Sequence, residues 1–205
     1  MNLNRKSLRL QEYDYTAPGG YFITIVTSDR KQLFGNIENS GMHLNEMGEI
    51  AKEEWLRTEK LRRIVELFDE EFVVMPDHVH GIIWIHDSNV GAERRSALLE
   101  KSTRVEQRST PTKKMDPPWA LTNKPPLPGS LGVIVRAYKS SVAYRINQVR
   151  NTRGMAVWQR NYFEHVIRDE EDLEDICDYI KANPACWDVD DPFQALKTPN
   201  RLHRV

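Results

Sequence analysis

The chain has 205 residues, 40% of them hydrophobic and 29% charged, with a formal net charge of −1. These values fit one ordinary globular domain with a substantial core, and no apolar run approaches the roughly 18–20 residues that span a bilayer. The stretch from Met1 to Leu10 is basic and polar with no apolar centre, which argues against a secretory signal and makes the cytoplasm the expected location.

Tyr21 to Thr27 reads YFITIVT, rich in aromatic and β-branched residues, and is the first expected strand. A short polar hairpin follows around Ile37 to Leu44. Asn45 then suits the N-cap of a helix running to about Leu61, with Ile50, Trp55 and Leu56 at apolar positions. Ile64 to Met75 leads through Phe72, Val73 and Val74 into a second strand. Pro76-Asp77 interrupts it, and His78 to Ile85 continues as a third.

The stretch 87–129 differs in kind. It is rich in Ser, Thr, Pro and basic residues, without sustained periodicity, and reads as a flexible basic insertion within a single domain of 1–205. Leu131 to Val149 resumes a helical pattern through Ile134, Val135, Tyr138, Val142 and Ile146. Trp158 to Ile167 reads as another strand. Asp169 then caps a helix to about Ala182 that buries Leu173, Ile176, Cys177 and Ile180, and Pro184 is expected to stop it. Strands mixed with helices in this order point to an α+β fold, a mainly antiparallel sheet with helices packed against it.

Charge and cysteine usage narrow the chemistry. Cys177 and Cys186 lack C-x-x-C spacing, so neither a disulfide framework nor a zinc ribbon is expected. Arg94, Arg95, Lys101, Arg104, Arg108, Lys113 and Lys114 crowd one stretch, Arg136, Lys139, Arg145 and Arg150 lie on the expected helix, and acids gather between Asp169 and Asp178. Such separation permits a basic surface facing a polyanion, although a solvated face is the commoner explanation of any one run.

The most informative segment is Val74-Met75-Pro76-Asp77-His78-Val79-His80-Gly81-Ile82-Ile83-Trp84. Residues i and i+2 of a strand share a face, with Cα atoms about 6.6–6.8 Å apart, so two imidazoles can converge on one cation. Val79 then faces the core with Ile83 and Ile85, and Gly81 is expected to leave room beside the pair. Two histidines at this spacing are more often a half-buried or solvent-facing pair, and two ligands alone hold a catalytic metal weakly, so a third group is required.

The run VVMPDHVHGIIWI resembles the His-hydrophobic-His strand of the HUH nucleases and, more narrowly, the REP-associated tyrosine transposases. GGYFITIVTSDRKQLFG resembles that family's opening strand and turn, VWQRNYFEHVIRDEEDL its late strand and helix start, and DYIKANPACW the end of its catalytic helix. The resemblance runs from about Gly20 to Trp187. It implies a ferredoxin-like or RRM-like fold and a transposase-type endonuclease that nicks and rejoins single-stranded or hairpin DNA through a covalent 5′-phosphotyrosine. Residue by residue, it makes Tyr179 the nucleophile and His78, His80 and Asn183 the ligands of a divalent cation, Mg²⁺ or Mn²⁺. Many relatives carry glutamine where this chain has Asn183, whose side chain is one methylene shorter. The resemblance also implies a homodimer as a partner arrangement, since relatives include dimers with exchanged helices.

Tyr179 and Asn183 stand at i and i+4, on one side of their helix. Arg136, Lys139 and Arg145 are candidate DNA phosphate contacts. Tyr138 and Tyr144 are expected to pack or to touch DNA. Glu164 and Asp77 are candidate auxiliary acids, His165 is either a structural or a supporting group, and Trp158 and Trp187 are expected to brace the domain. The alternative to an enzyme is a catalytically idle, sequence-specific hairpin-binding protein derived from a transposase.

Overall fold

The computed structural model describes residues 13–87 and 129–187, so the expected insertion 87–129 lies, apart from its two end residues, outside the described residues. The elements in chain order are β1 (Gly19–Val26), β2 (Gly35–Glu38), β3 (Gly41–Leu44), α1 (Glu46–Leu61), β4 (Val65–Glu66), β5 (Phe72–Val74), β6 (His78–Ile85), α2 (Leu131–Val149), β7 (Phe163–Ile167) and α3 (Glu170–Ala182). Five strands form one antiparallel sheet with β6 and β1 at its centre, β7 on the far side of β1, and β4 and β5 sharing the other edge of β6. The α+β architecture expected from the sequence is the one observed.

Alternation along the two central strands divides the molecule. Tyr21, Ile23 and Ile25 of β1, with Val79, Ile83 and Ile85 of β6, enter one core against α1 and α2. Phe22, Ile82 and Trp84 enter a second core, on the other face, with Leu173, Ile176 and Ile180 of α3. Because the side-chain period of a strand is two, register decides which residues meet. The β1–β6 register sets Thr24 opposite His80 and Val26 opposite His78.

The helices form where their caps and apolar spacing require. Asn45 accepts from the backbone N–H groups of Met47 and Gly48 to start α1, and Asp169 accepts from that of Asp172 to start α3. On α2, Leu131, Ile134, Val135, Tyr138, Val142 and Ile146 are buried at helical spacing, and the Tyr138 hydroxyl donates to the Ala51 carbonyl at 3.1 Å. The β2–β3 hairpin turns through Asn39 and Ser40, whose φ values of 51° and 61° fit a two-residue turn of the primed kind that hairpins favour.

Two local expectations change, and a third holds with a refinement. The strand expected over Trp158 to Ile167 begins only at Phe163. Trp158 makes an isolated bridge to Thr27, and the carbonyls of Gln159, Arg160 and Asn161 accept from Lys139 Nζ instead of a neighbouring strand. Gly81 does not open space beside the histidines, because it lies on the opposite face. A Cβ there would sit 2.6 Å from Cζ2 of Trp55, whose ring stacks on Phe72 at 4.4 Å, so this glycine admits an indole. Finally, α3 ends at Ala182, yet Asn183 keeps helical angles (φ −55°, ψ −47°) and the chain tightens into a 3₁₀ turn over Asn183–Cys186. Pro184 is tolerated at the start of that turn, where its missing N–H would have had no helical partner.

Candidate functional site

The site forms on the α3 face of the sheet, where β6 begins. His78 and His80 are fully buried, at 1% and 0% exposure, and their Nε2 atoms lie 2.9 Å apart. Each ring is held from behind through Nδ1. Asp77 Oδ1 is 2.5 Å from His78 Nδ1, and in the neutral tautomer that donates from Nδ1 to this oxygen the Nε2 lone pair faces forward. Thr24 Oγ1 is 2.8 Å from His80 Nδ1 across the strand pair. When His80 Nδ1–H donates to Thr24, two Nε2 lone pairs confront each other. In the other tautomer the Thr24 hydroxyl donates and the His80 Nε2–H fills the gap. Burial, and secondarily the neighbouring His78, pushes the His80 pKa well below its ordinary value, which keeps that ring neutral.

Tyr179 approaches from α3. Its hydroxyl is 3.3 Å from His80 Nε2, and its ring meets His80 edge-on at 5.1 Å. Phe22 supports both, stacking on His80 at 5.5 Å and meeting Tyr179 at 6.1 Å. The position of the phenol follows from the amphipathic pattern of α3, whose Leu173, Ile176 and Ile180 anchor the helix on Phe22, Ile82 and Trp84.

Asn183, one turn beyond Tyr179, is 2% exposed, and neither its amide oxygen nor its nitrogen has a hydrogen-bond partner among the described residues. Such a group costs about 1–3 kcal/mol if left unsatisfied, so a buried, unpaired amide one helical turn from Tyr179 is a group with capacity for a ligand. Two further observations bear on a cation. Octahedral neighbours at about 2.1 Å from an ion lie about 3.0 Å apart, close to the observed Nε2 separation. Among the described residues no group of three or more His, Cys, Asp or Glu side chains could hold a metal. Two imidazoles with facing Nε2 atoms and an amide with unfilled hydrogen-bonding capacity are donor types that suit a divalent cation.

The structure brings His78, His80 and Tyr179 together and adds Thr24, Asp77, Phe22 and Trp187. Trp187 stacks on the other histidine, its ring 6.0 Å from that of His78 at 28°. Sequence reading gave Thr24 no role and took Trp187 for a brace. Alternation in YFITIVT places Thr24 on one face with Phe22 and Val26, but only the register reveals its partner. The basic residues of α2 are not brought to this face, because α2 packs on the opposite side of the sheet. Lys139 serves the 159–161 carbonyls, and burial lowers its pKa to about 8. Arg145 is bonded to Glu53 at 2.7 Å and Glu54 at 3.1 Å, and Arg136 is exposed. Tyr138 packs in the core and Tyr144 is exposed. His165 is bonded to Asp172 at 2.9 Å, which ties β7 to the first turn of α3. Glu164 lies opposite Ile23, whose side chain belongs to the α1/α2 core, and so points away from the histidines. No described helix is long and apolar enough to cross a membrane.

Comparison with known proteins places this geometry in context. The chain is 35% identical over 187 residues to an uncharacterized protein of Haemophilus influenzae, an alignment covering 91% of this chain and 92% of that one. A second Haemophilus influenzae protein, provisionally assigned as a REP-associated tyrosine transposase, is 25% identical over 174 residues, 83% of this chain and 73% of its own length. A solved structure of a REP-associated tyrosine transposase bound to a REP hairpin has a TM-score of 0.50 at 17% identity, over 86% of this chain and 73% of that one, which is a likeness of fold. No family model matches the chain.

Proposed function

We propose that this chain, which belongs to the family of REP-associated tyrosine transposases, nicks and rejoins single-stranded DNA at hairpins through a covalent link between Tyr179 and a 5′-phosphate. A transposase-like role in DNA processing follows from the family. The finer reading rests on one observation, the Tyr179 hydroxyl 3.3 Å from a histidine whose Nε2 faces a second histidine's Nε2 at 2.9 Å.

The chemistry asked of the residues is modest in kind and demanding in placement. A free phenol has a pKa near 10, so only about one molecule in a thousand is ionised at neutral pH. Tyr179 is half-buried at the end of a packed helix, and its oxygen is held against the histidine face, which fixes the direction of attack. In the proposed step the phenolic oxygen bonds to phosphorus as the bond to the 3′-oxygen breaks. The phenol gives up one proton and the departing 3′-hydroxyl gains one. A phosphodiester replaces a phosphodiester, so the reverse step rejoins the strand without a nucleotide cofactor.

His78, His80 and Asn183 would hold a divalent cation, Mg²⁺ or Mn²⁺, with Asp77 and Thr24 orienting the two rings through Nδ1. When bound, the ion polarises the scissile phosphate and offsets its developing charge. The hydroxyl of Tyr179 lies beside its own chain's histidines, so in this reading one protomer supplies both the phenol and the two imidazoles.

The test uses a labelled DNA hairpin with a single-stranded flank, incubated with Mn²⁺. Wild type is expected to yield a covalent protein–DNA adduct. Tyr179→Phe should bind the hairpin and form none, and His78→Ala/His80→Ala should lose cation-dependent cleavage. An adduct in the phenylalanine variant, or full nicking by the double histidine variant, overturns the proposal. Binding without cleavage in wild type assigns the idle hairpin-binding alternative.

A further inference from the structure

We infer that the ring of Trp187 is a stacking platform for one base of the single-stranded DNA, beside the phosphate that Tyr179 attacks, an inference that rests on the reading of that site given above. The groups assigned to the reaction address a phosphate or a cation: Tyr179 attacks, and His78, His80 and Asn183 form the donor face with Thr24 and Asp77 behind the rings. None of these roles holds a base. An unpaired strand exposes the flat faces of its bases, and aromatic side chains stack on them whatever the sequence.

Trp187 differs from the other described tryptophans. Trp55, Trp84 and Trp158 are buried in the two cores. Trp187 is only half-buried, and it packs against neither core. Its ring overlies that of His78 at 6.0 Å and 28°, within the range of offset stacking. Tyr179 takes the other histidine, its ring 5.1 Å from that of His80, and the two imidazoles are 4.5 Å apart. The phenol and the indole thus flank one histidine pair, and a strand joined at Tyr179 has the indole beside it. The backbone fixes that ring in advance. Leu173, Ile176 and Ile180 seat α3 on the sheet, Asn183 continues at helical angles, and Trp187 closes the 3₁₀ turn at φ −57° and ψ −40°. Pro184, whose own ring locks its φ, stiffens the turn. A platform held in this way loses little freedom when a base arrives, so stacking is expressed as affinity. Bracing a core does not account for an indole placed here, whereas a base that uses its face does.

The experiment measures hairpin affinity in the full-length Tyr179→Phe background, so that cleavage does not intervene. The probe is a fluorescein-labelled DNA hairpin with a single-stranded flank, each flank nucleotide being replaced in turn by an abasic linker. A second, unlabelled series carries 2-aminopurine at the same positions, whose emission falls on stacking. One abasic position should weaken the parent by about 5–150-fold, the share of one base on an aromatic ring. Trp187→Leu, which still covers His78 with an apolar side chain, should show that loss on the intact hairpin and no further loss at that position. There 2-aminopurine should be dimmer bound to the parent than bound to Trp187→Leu. Trp187→Phe should keep part of the affinity and part of the quenching. Both variants should melt within about 4 °C of the parent. Were leucine to melt lower, Trp187→Phe against the parent gives the test, since the smaller ring should show a reduced abasic effect at the same position. Affinity of Trp187→Leu equal to the parent's, or abasic losses that simply add to its own at every position, overturns the inference and leaves the site reading intact. Failure of the parent to bind the hairpin at all would bring down the proposed function, and this inference with it.

Discussion

Replacing Asn183 by leucine should make the cation-free protein more stable and the cation-dependent protein inactive. The side chain is 2% exposed and both amide atoms lack partners among the described residues. A buried polar group in that condition costs about 1–3 kcal/mol, and leucine, similar in bulk and apolar, removes the cost. For a domain of this size each kcal/mol moves the melting temperature by about 2–4 °C, so a rise of about 2–12 °C is expected in EDTA. The second effect has the opposite sign for function. Losing an outer partner of a metal ligand already weakens affinity by about 10–100-fold, and losing a ligand should weaken it no less. Calorimetric melting in EDTA and isothermal titration with Mn²⁺ read the two effects separately. A lower melting temperature in EDTA would mean that the amide is satisfied inside the protein. Unchanged Mn²⁺ affinity would remove Asn183 from the ligand set.

Two further outcomes follow from the groups around the site. Thr24→Val keeps the shape of a fully buried side chain but leaves His80 Nδ1 without its partner, so Mn²⁺ affinity should fall about 10–100-fold with little change in fold; equal titration curves would refute the orienting role. The Asp172 carboxyl is pushed up by burial, but hydrogen bonds from His165 and from the Arg168 N–H, with the charges of both residues, outweigh burial and hold its pKa below the ordinary 3.8. A folded pKa below the unfolded one contributes stability that is present above about pH 3.8 and is lost as pH falls through the depressed value. His165→Ala should therefore move the acid-unfolding midpoint, followed by circular dichroism, to higher pH. An unmoved midpoint would show that the pair does not tie β7 to α3.

Much of this architecture is legible in the residues because local and global demands agree. Asn45 and Asp169 cap α1 and α3 as their side chains allow, and the α2 stripe from Ile134 to Ile146 is the buried face of that helix. The alternation His78-Val79-His80 likewise predicts which residues share a face, and the core partition follows it. What is not legible depends on contacts distant in sequence. Thr24 meets His80 across 56 positions, and that pairing belongs to strand register. Gly81 looks like an opening beside the histidines until Trp55 is found in the space its missing Cβ leaves. Trp158 to Tyr162 has strand composition, but Lys139 takes three of the carbonyls that a ladder would have used. The helical cations followed the same course. Charge shows that Lys139 and Arg145 are basic, and only the fold shows that one secures a loop and the other is bonded to Glu53 and Glu54.

The distance on which the proposed chemistry depends is set by groups that take no part in it. Tyr179 stands beside His80 because Leu173, Ile176 and Ile180 seat α3 on Phe22, Ile82 and Trp84, and those three belong to the same two strands that carry Thr24 and the histidines. Alternate residues of β6 thus serve two purposes: Val79, Ile83 and Ile85 join the larger core, while His78 and His80 extend the line of Ile82 and Trp84 toward the cleft. A one-residue slip of β6 against β1 would turn the imidazoles into the apolar core and drive valine and isoleucine outward, so the register that stabilises the sheet also protects the geometry of the site. Burial on both faces is what makes such a slip costly. The same burial keeps His80 neutral and its ring fixed, which a pair of histidines on a solvent-facing edge strand would not achieve.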